Sequence, residues 1–271
     1  MNKSIIIILS LLFLQCNSKT SNDIKSSQNE DKTKKQEAII EKYVTNCAEH
    51  FNYSFQMSEW QNCLDTGLKV DSTVAYLWQQ KAMPYFKAKK YEVGMTYLDK
   101  AVLYKPERWL SYRAFIKCIF AKTYKSAIVD FEECIKREGN TYVMDHTYRF
   151  YIALSYLQLN EFEKAENLLK KDIIEQEKEW GEPHFLDLFY YGISKYEQRK
   201  WQEATTAFDK VIAQYPTFSD AKYYKSICLR HQNKIEDSKT FILEAKEDAA
   251  LGNTINEANS IYEPYPYQVR W

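Results

Sequence analysis

Glycine and proline are scarce in this chain, with six of each in 271 residues. An all-β body, or a nucleotide-binding body built on a parallel sheet, needs many more turn residues, so the composition argues for helices. Net charge is missing too: 37 basic residues balance 37 acidic ones. That removes the electrostatic footprint of a nucleic-acid binder, and no basic stripe restores it. Catalytic signatures are absent, with no H-E-x-x-H, no G-x-S-x-G and no glycine-rich phosphate loop. Ser219 and Lys222 fit an S-x-x-K spacing but lack its companion motifs. There is no C-x-x-C, and His50, His146, His184 and His231 stand far apart without a partner at ligand spacing. The sequence therefore predicts no catalysis, no cofactor and no metal site.

What is present begins with Lys3 and an apolar run over residues 5–14, the layout of a signal peptide. At about 1.5 Å per residue the run covers roughly 15 Å, half a bilayer core, so it cannot span a membrane stably. Phe13-Leu14-Gln15-Cys16 resembles the lipobox of bacterial lipoproteins. That resemblance implies removal of residues 1–15 and a lipid on Cys16. Gln15 departs from the small residue the pattern wants, and an ordinary secretory cleavage just after Cys16 is the alternative. Residues 16–37 are mostly Ser, Asn, Lys and Asp, which cannot bury enough apolar area to offset chain entropy. They are expected to form a disordered tether reaching roughly 25 Å. The protein is thus expected to be exported and lipid-anchored in the cell envelope of a Gram-negative bacterium, in the outer membrane or periplasm. In that oxidising setting Cys47 and Cys63 make a conceivable disulfide. Buried free thiols are the expectation for them and for Cys118, Cys134 and Cys228.

The strongest pattern is internal repetition. The stretch from Trp78 to Pro106 aligns with that from Leu188 to Pro216: Ala82 falls on Gly192, Tyr91 on Trp201, Gly94 on Ala204 and Leu98 on Phe208. An aromatic or apolar residue recurs at Tyr91, Tyr124, Phe162, Trp201 and Ile235, with a small residue three later, at spacings of about 33, 38, 39 and 34. This is similar to the tetratricopeptide repeat, a helix-turn-helix unit in which small residues let two helices approach closely. The resemblance implies an all-α solenoid of about five to six stacked hairpins over residues 38–251. A degenerate first unit would include a helix near residues 36–55 and a second opened by a capping box at Ser58 and Gln61. The repeat near Arg113 carries an extra residue, and Asp172 stands where a small residue belongs, so both units should be distorted.

In that family, partners lie along the concave face, which implies a groove lined here by Tyr76, Gln79, Met83, Phe86, Phe150, Leu154, Leu157, Leu186, Phe189, Ile193, Tyr196, Tyr223, Ile227 and Arg230. The lysine and asparagine pattern of the carboxylate-clamp members is missing. So apolar a trough must be covered, by another protein or by this chain's own tail. In the tail, residues 252–271, Gly252 should stop the last helix and Thr254 with Glu257 should cap a short one before Pro264. The aromatic remainder, Tyr265 to Trp271, should fold back onto the last repeats and close the open end. The functional expectation is a non-catalytic scaffold or adaptor that binds a protein or peptide partner, with a sugar- or peptide-binding lipoprotein as the alternative. The insertions at residues 139–145 and 176–184, the latter with Trp180, are further expected contact points.

Overall fold

The computed structural model describes the backbone from residue 21 to residue 271, and side chains from residue 30. The signal segment and Cys16 lie outside the described residues. Twelve α-helices follow one another, and the expected all-α solenoid is what forms. A leading unit holds α1 (Ser21–Ile40) and α2 (Met57–Val70). Five hairpins then stack in order: α3 (Ala75–Lys87) with α4 (Tyr91–Tyr104), and α5 (Pro106–Phe115) with α6 (Tyr124–Glu138). After them come α7 (Tyr148–Gln158) with α8 (Phe162–Trp180), α9 (Phe185–Glu197) with α10 (Trp201–Gln214), and α11 (Ser219–His231) with α12 (Ile235–Ala250). Among the described residues no helix is long and apolar enough to cross a membrane.

Local chemistry explains the elements. In α6 the buried Ala127, Ile128, Phe131 and Cys134 fall on one face, leaving Glu132, Glu133 and Lys136 toward solvent. Pro106 opens α5 at a position where its missing N–H costs nothing. Each hairpin turns through one residue with positive φ: Lys89, Lys122, Asn160, Arg199 and Asn233. These five sites repeat at the spacing read from the sequence, and their use of lysine, arginine and asparagine is one reason glycine is so rare. The extra residue near Arg113 is absorbed by a π turn at Ile116–Phe120, which restores register before the next helix. Asp172 is buried, bonded by the Thr147 hydroxyl and paired with Arg149 at 3.0 Å.

Close approach inside a hairpin rests on glycine at two places. A methyl group added at Gly192 would lie 2.6 Å from the Phe208 ring, and one at Gly94 would lie 2.5 Å from Phe86. Gly192→Ala should therefore destabilise: overpacking costs about 1–3 kcal/mol against roughly 1 kcal/mol gained in helix propensity. A lower urea midpoint with an unchanged slope would register it.

Three expectations need correction. The polar segment read as a tether is helical from Ser21 on, with i, i+4 pairs Glu30–Lys34 and Asp31–Lys35 along its exposed side. Ser58 does not cap α2; the helix starts at Met57, and the Ser58 hydroxyl bonds to Glu59 instead. Cys47 and Cys63 are joined in a disulfide, their Cα atoms 5.8 Å apart, fastening the turn after α1 to α2. Cys118, Cys134 and Cys228 are free and buried as expected, their thiols pushed up to about 12 by desolvation.

Candidate functional site

The chain's own C-terminal segment lies against α9, α11, His146 and the turns of the first two hairpins. After α12, Gly252 turns at φ +84° and the Asn253 N–H closes back on Asp248, so the helix stops where the glycine predicts. The expected short helix does not follow. Glu257 reaches His146, and Thr254 accepts from Gln268, so neither completes a capping box; turns run through this stretch instead. The segment travels out from α11 to the start of the solenoid and returns. It thus runs back from the last hairpin to the first rather than closing only the open end.

Each stage of that path has named anchors. Asp220, fully buried on α11, accepts from the Ile255 N–H at 3.1 Å and the Val269 N–H at 2.7 Å, holding the outgoing and returning arms together. Burial pushes its carboxyl above the usual range despite those two donors. Gln268 ties the arms again, donating to the Ile255 carbonyl at 2.9 Å. At the far tip Glu263 receives Tyr91 and pairs with Lys122 at 3.1 Å and Lys89 at 3.3 Å, the two lysines of the hairpin turns. On the way back, Tyr190 donates to the Pro266 carbonyl at 2.9 Å and Tyr224 to the Tyr267 carbonyl at 3.0 Å. Trp271 ends edge-on to Tyr223. Ile255 and Tyr265 are 2% and 3% exposed, as sealed as the helical core.

Although burial opposes ionisation of Glu263, hydrogen bonds from Tyr91 and Lys122 hold its carboxyl below the ordinary 4.5. A depressed carboxyl gives stability that is present above 4.5 and lost as pH falls through the folded value. Acidification through and below the lowered Glu263 value should therefore loosen the tip of the tail first. Faster hydrogen exchange of the amides around Glu263, with the Asp220 end still protected, would register it.

The groove residues expected from the repeat pattern divide. Phe86, Phe150, Leu154, Leu157, Leu186, Phe189 and Ile193 are sealed in the core, and Gln79 is buried with its amide oxygen taken by Gln80. Phe86 packs on Gly94 within its own hairpin. Phe189 packs among Tyr190, Phe208, Phe218 and Tyr224. Tyr76 stacks on Trp109 and Tyr196 meets Tyr224 edge-on. Met83 and Ile227 are half-buried and Arg230 is exposed. Of this set, Tyr223 is the one with a tail ring against its own. The residues that bond the tail stand beside the expected ones: Tyr190 and Tyr224 follow Phe189 and Tyr223 directly. The signal was the 22 tyrosines, several of them one repeat apart.

Sequence distance also concealed the histidines. His146 opens a two-residue strand β2 (His146–Thr147) that pairs with β1 (Tyr142–Val143), and His184 precedes α9. One repeat apart, their rings come within 5.2 Å. His146 stacks on Phe150 at 3.9 Å and faces Glu257 at 3.3 Å. Thr147 caps α7, its hydroxyl accepting from the Phe150 N–H, while His184 Nδ1 accepts from the Leu186 N–H at 3.3 Å. Burial pushes the neighbouring Asp187 carboxyl up to about 7, and burial with the adjacent His146 takes His184 down to about 4. Nearby, the two insertions meet, Tyr142 lying 6.1 Å from the half-exposed Trp180.

Comparison with known proteins agrees with this architecture. Residues 188–217 match the tetratricopeptide repeat family. A tetratricopeptide repeat protein from Parabacteroides merdae is similar in fold at 14% identity, covering 79% of each chain with a TM-score of 0.62. PilW, a widely conserved type IV pilus biogenesis factor, is 14% identical over 79% of this chain and 94% of its own, with a TM-score of 0.58. The C-terminal part of a repeat-containing protein from Cytophaga hutchinsonii gives 14% identity over 76% and 79%, with a TM-score of 0.56. No curated protein sequence matches the chain.

Proposed function

Because the chain is a tetratricopeptide-repeat solenoid, we propose that it is a non-catalytic interaction scaffold, lipid-anchored through Cys16 in the bacterial envelope, whose concave face receives an extended segment of a protein partner. The observation that carries this reading is how the face holds the tail. Tyr190 and Tyr224 grip backbone carbonyls, and Asp220 grips backbone N–H groups. Contacts of that kind read an extended main chain and ask little of its side chains, so another segment with aromatic and proline residues suits the same face. The face is preformed by stacked helices, which keeps the ordering cost on the partner's side. The alternative is a sugar or small peptide as cargo, which, like a partner segment, would have to displace the tail.

The test uses the chain ended after Gly252, with the full chain as control. Envelope proteins retained by the shortened protein, and displaced by a synthetic peptide of residues 253–271, support the scaffold. Equal retention by both proteins, with no displacement by the peptide, would count against a groove-bound partner. Metabolic labelling with a fatty-acid analogue, lost in Cys16→Ala, supports the anchor; labelling unchanged in that variant removes it.

A further inference from the structure

Three side chains that the scaffold reading leaves unused converge where the third and fourth hairpins meet. His146, His184 and Asp187 each present a ligand-type atom, and these atoms all lie within 4.8 Å of one another. Two of the three are sealed from water, His146 at 2% and Asp187 at 1% exposure. The Asp187 Oδ1 has no hydrogen-bond partner, and the His146 Nε2 makes no hydrogen bond, only an ion-pair contact with the tail. Orphaned polar atoms at such depth are costly, and two of them aimed at one point imply something that satisfies both. The tail adds a fourth group, since Glu257 Oε1 stands 3.3 Å from that same His146 Nε2.

We propose that His146, His184, Asp187 and Glu257 form a binding site for a divalent transition-metal cation, with Zn²⁺ the ion best suited to it. Two imidazoles with carboxylates are a zinc-type donor set. Bonds of about 2.0–2.2 Å in a tetrahedron place neighbouring ligand atoms roughly 3.4 Å apart. The His146–Glu257 separation already has that length. The pairs among His146, His184 and Asp187 close by no more than about 1.4 Å, within reach of small side-chain rotations, and Glu257 swings in from the tail as the fourth group. Binding through either nitrogen of His184 gives up its long bond from the Leu186 N–H. Because His184 is exposed, it offers the ion a path in from solvent. A plain imidazolium–carboxylate pair would account for His146 and Glu257, but it leaves the buried Asp187 Oδ1 unsatisfied. With protein groups in all four positions the site is structural in kind. It fastens the tail to the solenoid, whatever else the groove accepts.

Equilibrium dialysis of the full chain against Zn²⁺, after stripping with a chelator, should give one ion per chain. Co²⁺ in its place should give the intense visible absorption of a tetrahedral site. Glu257→Gln and His184→Ala should each weaken Zn²⁺ binding at least about tenfold. Both lie where a folding defect is least expected, and far-UV circular dichroism checks for one. Hydrogen exchange of the amides flanking Glu257 should slow on adding Zn²⁺ to the native protein and stay unchanged in Glu257→Gln. Failure of the wild-type chain to retain stoichiometric Zn²⁺ overturns the proposal, as does an affinity unaltered by either substitution.

Discussion

Deleting residues 254–271 should lower the melting temperature by about 5–15 °C while leaving the helical content almost intact. The deletion removes two sealed side chains, Ile255 and Tyr265, each worth about 1.5–3 kcal/mol of burial. It also removes the acceptors of the Tyr190 and Tyr224 hydroxyls and both donors to Asp220. Against this stands the chain entropy that the released segment regains, and a net loss of a few kcal/mol is the expected balance. For a chain of this size each kcal/mol moves the midpoint by about 2–4 °C. A peptide of the deleted sequence, added back, should recover part of the shift. A midpoint unchanged by the deletion would mean that the tail contributes nothing to the folded body.

Breaking the disulfide should have a comparable but local effect. Cys47 and Cys63 enclose a loop of 16 residues, for which the chain-entropy account gives about 3 kcal/mol. That loss falls on a part of the molecule with its own interior. Val44, Ala48, Trp60, Cys63, Leu64, Leu68, Val74 and Leu77 form one buried cluster, separate from the large core running through the five hairpins. Cys63→Ala should therefore open the leading unit before the rest. Fluorescence of Trp60, whose indole N–H donates to the Gln80 carbonyl, should report an early transition ahead of the main one. A single transition displaced as a whole would show that the two interiors unfold together.

Much of this architecture was legible in the sequence because repetition is a covalent fact. Tyr91, Trp201 and Ile235 mark the same place in successive units whatever surrounds them, and the five left-handed turn residues fall in step. The extra residue near Arg113 had to go somewhere, and a π turn is the cheapest place. The aromatic tail was legible as something that could not stay in water. Its path was not, because that depends on Asp220 and the tyrosines meeting backbone atoms that carry no signature in the sequence. Several of the groove positions lie in the interior because neighbouring helices cover them: Phe86 packs on Gly94, and Phe189 sits among Phe208, Phe218 and Tyr224. The histidine pair was hidden because His146 and His184 are neighbours through stacking alone. Helix α1 was missed because its support, paired charges four residues apart, looks the same in composition as a solvated coil.

Asp220 binds N–H groups from both arms of the tail, so the segment is a loop pinned at its root rather than a free end. Lifting Glu263 off its lysines lets the tip peel away while the base stays fastened. Such a loop is never diluted: an attached ligand behaves as though present at roughly millimolar concentration, however far it swings. Any segment seeking the same face competes with that internal reservoir, so its apparent affinity falls short of what the bare surface would offer. Cutting the chain at Gly252 should reveal the difference.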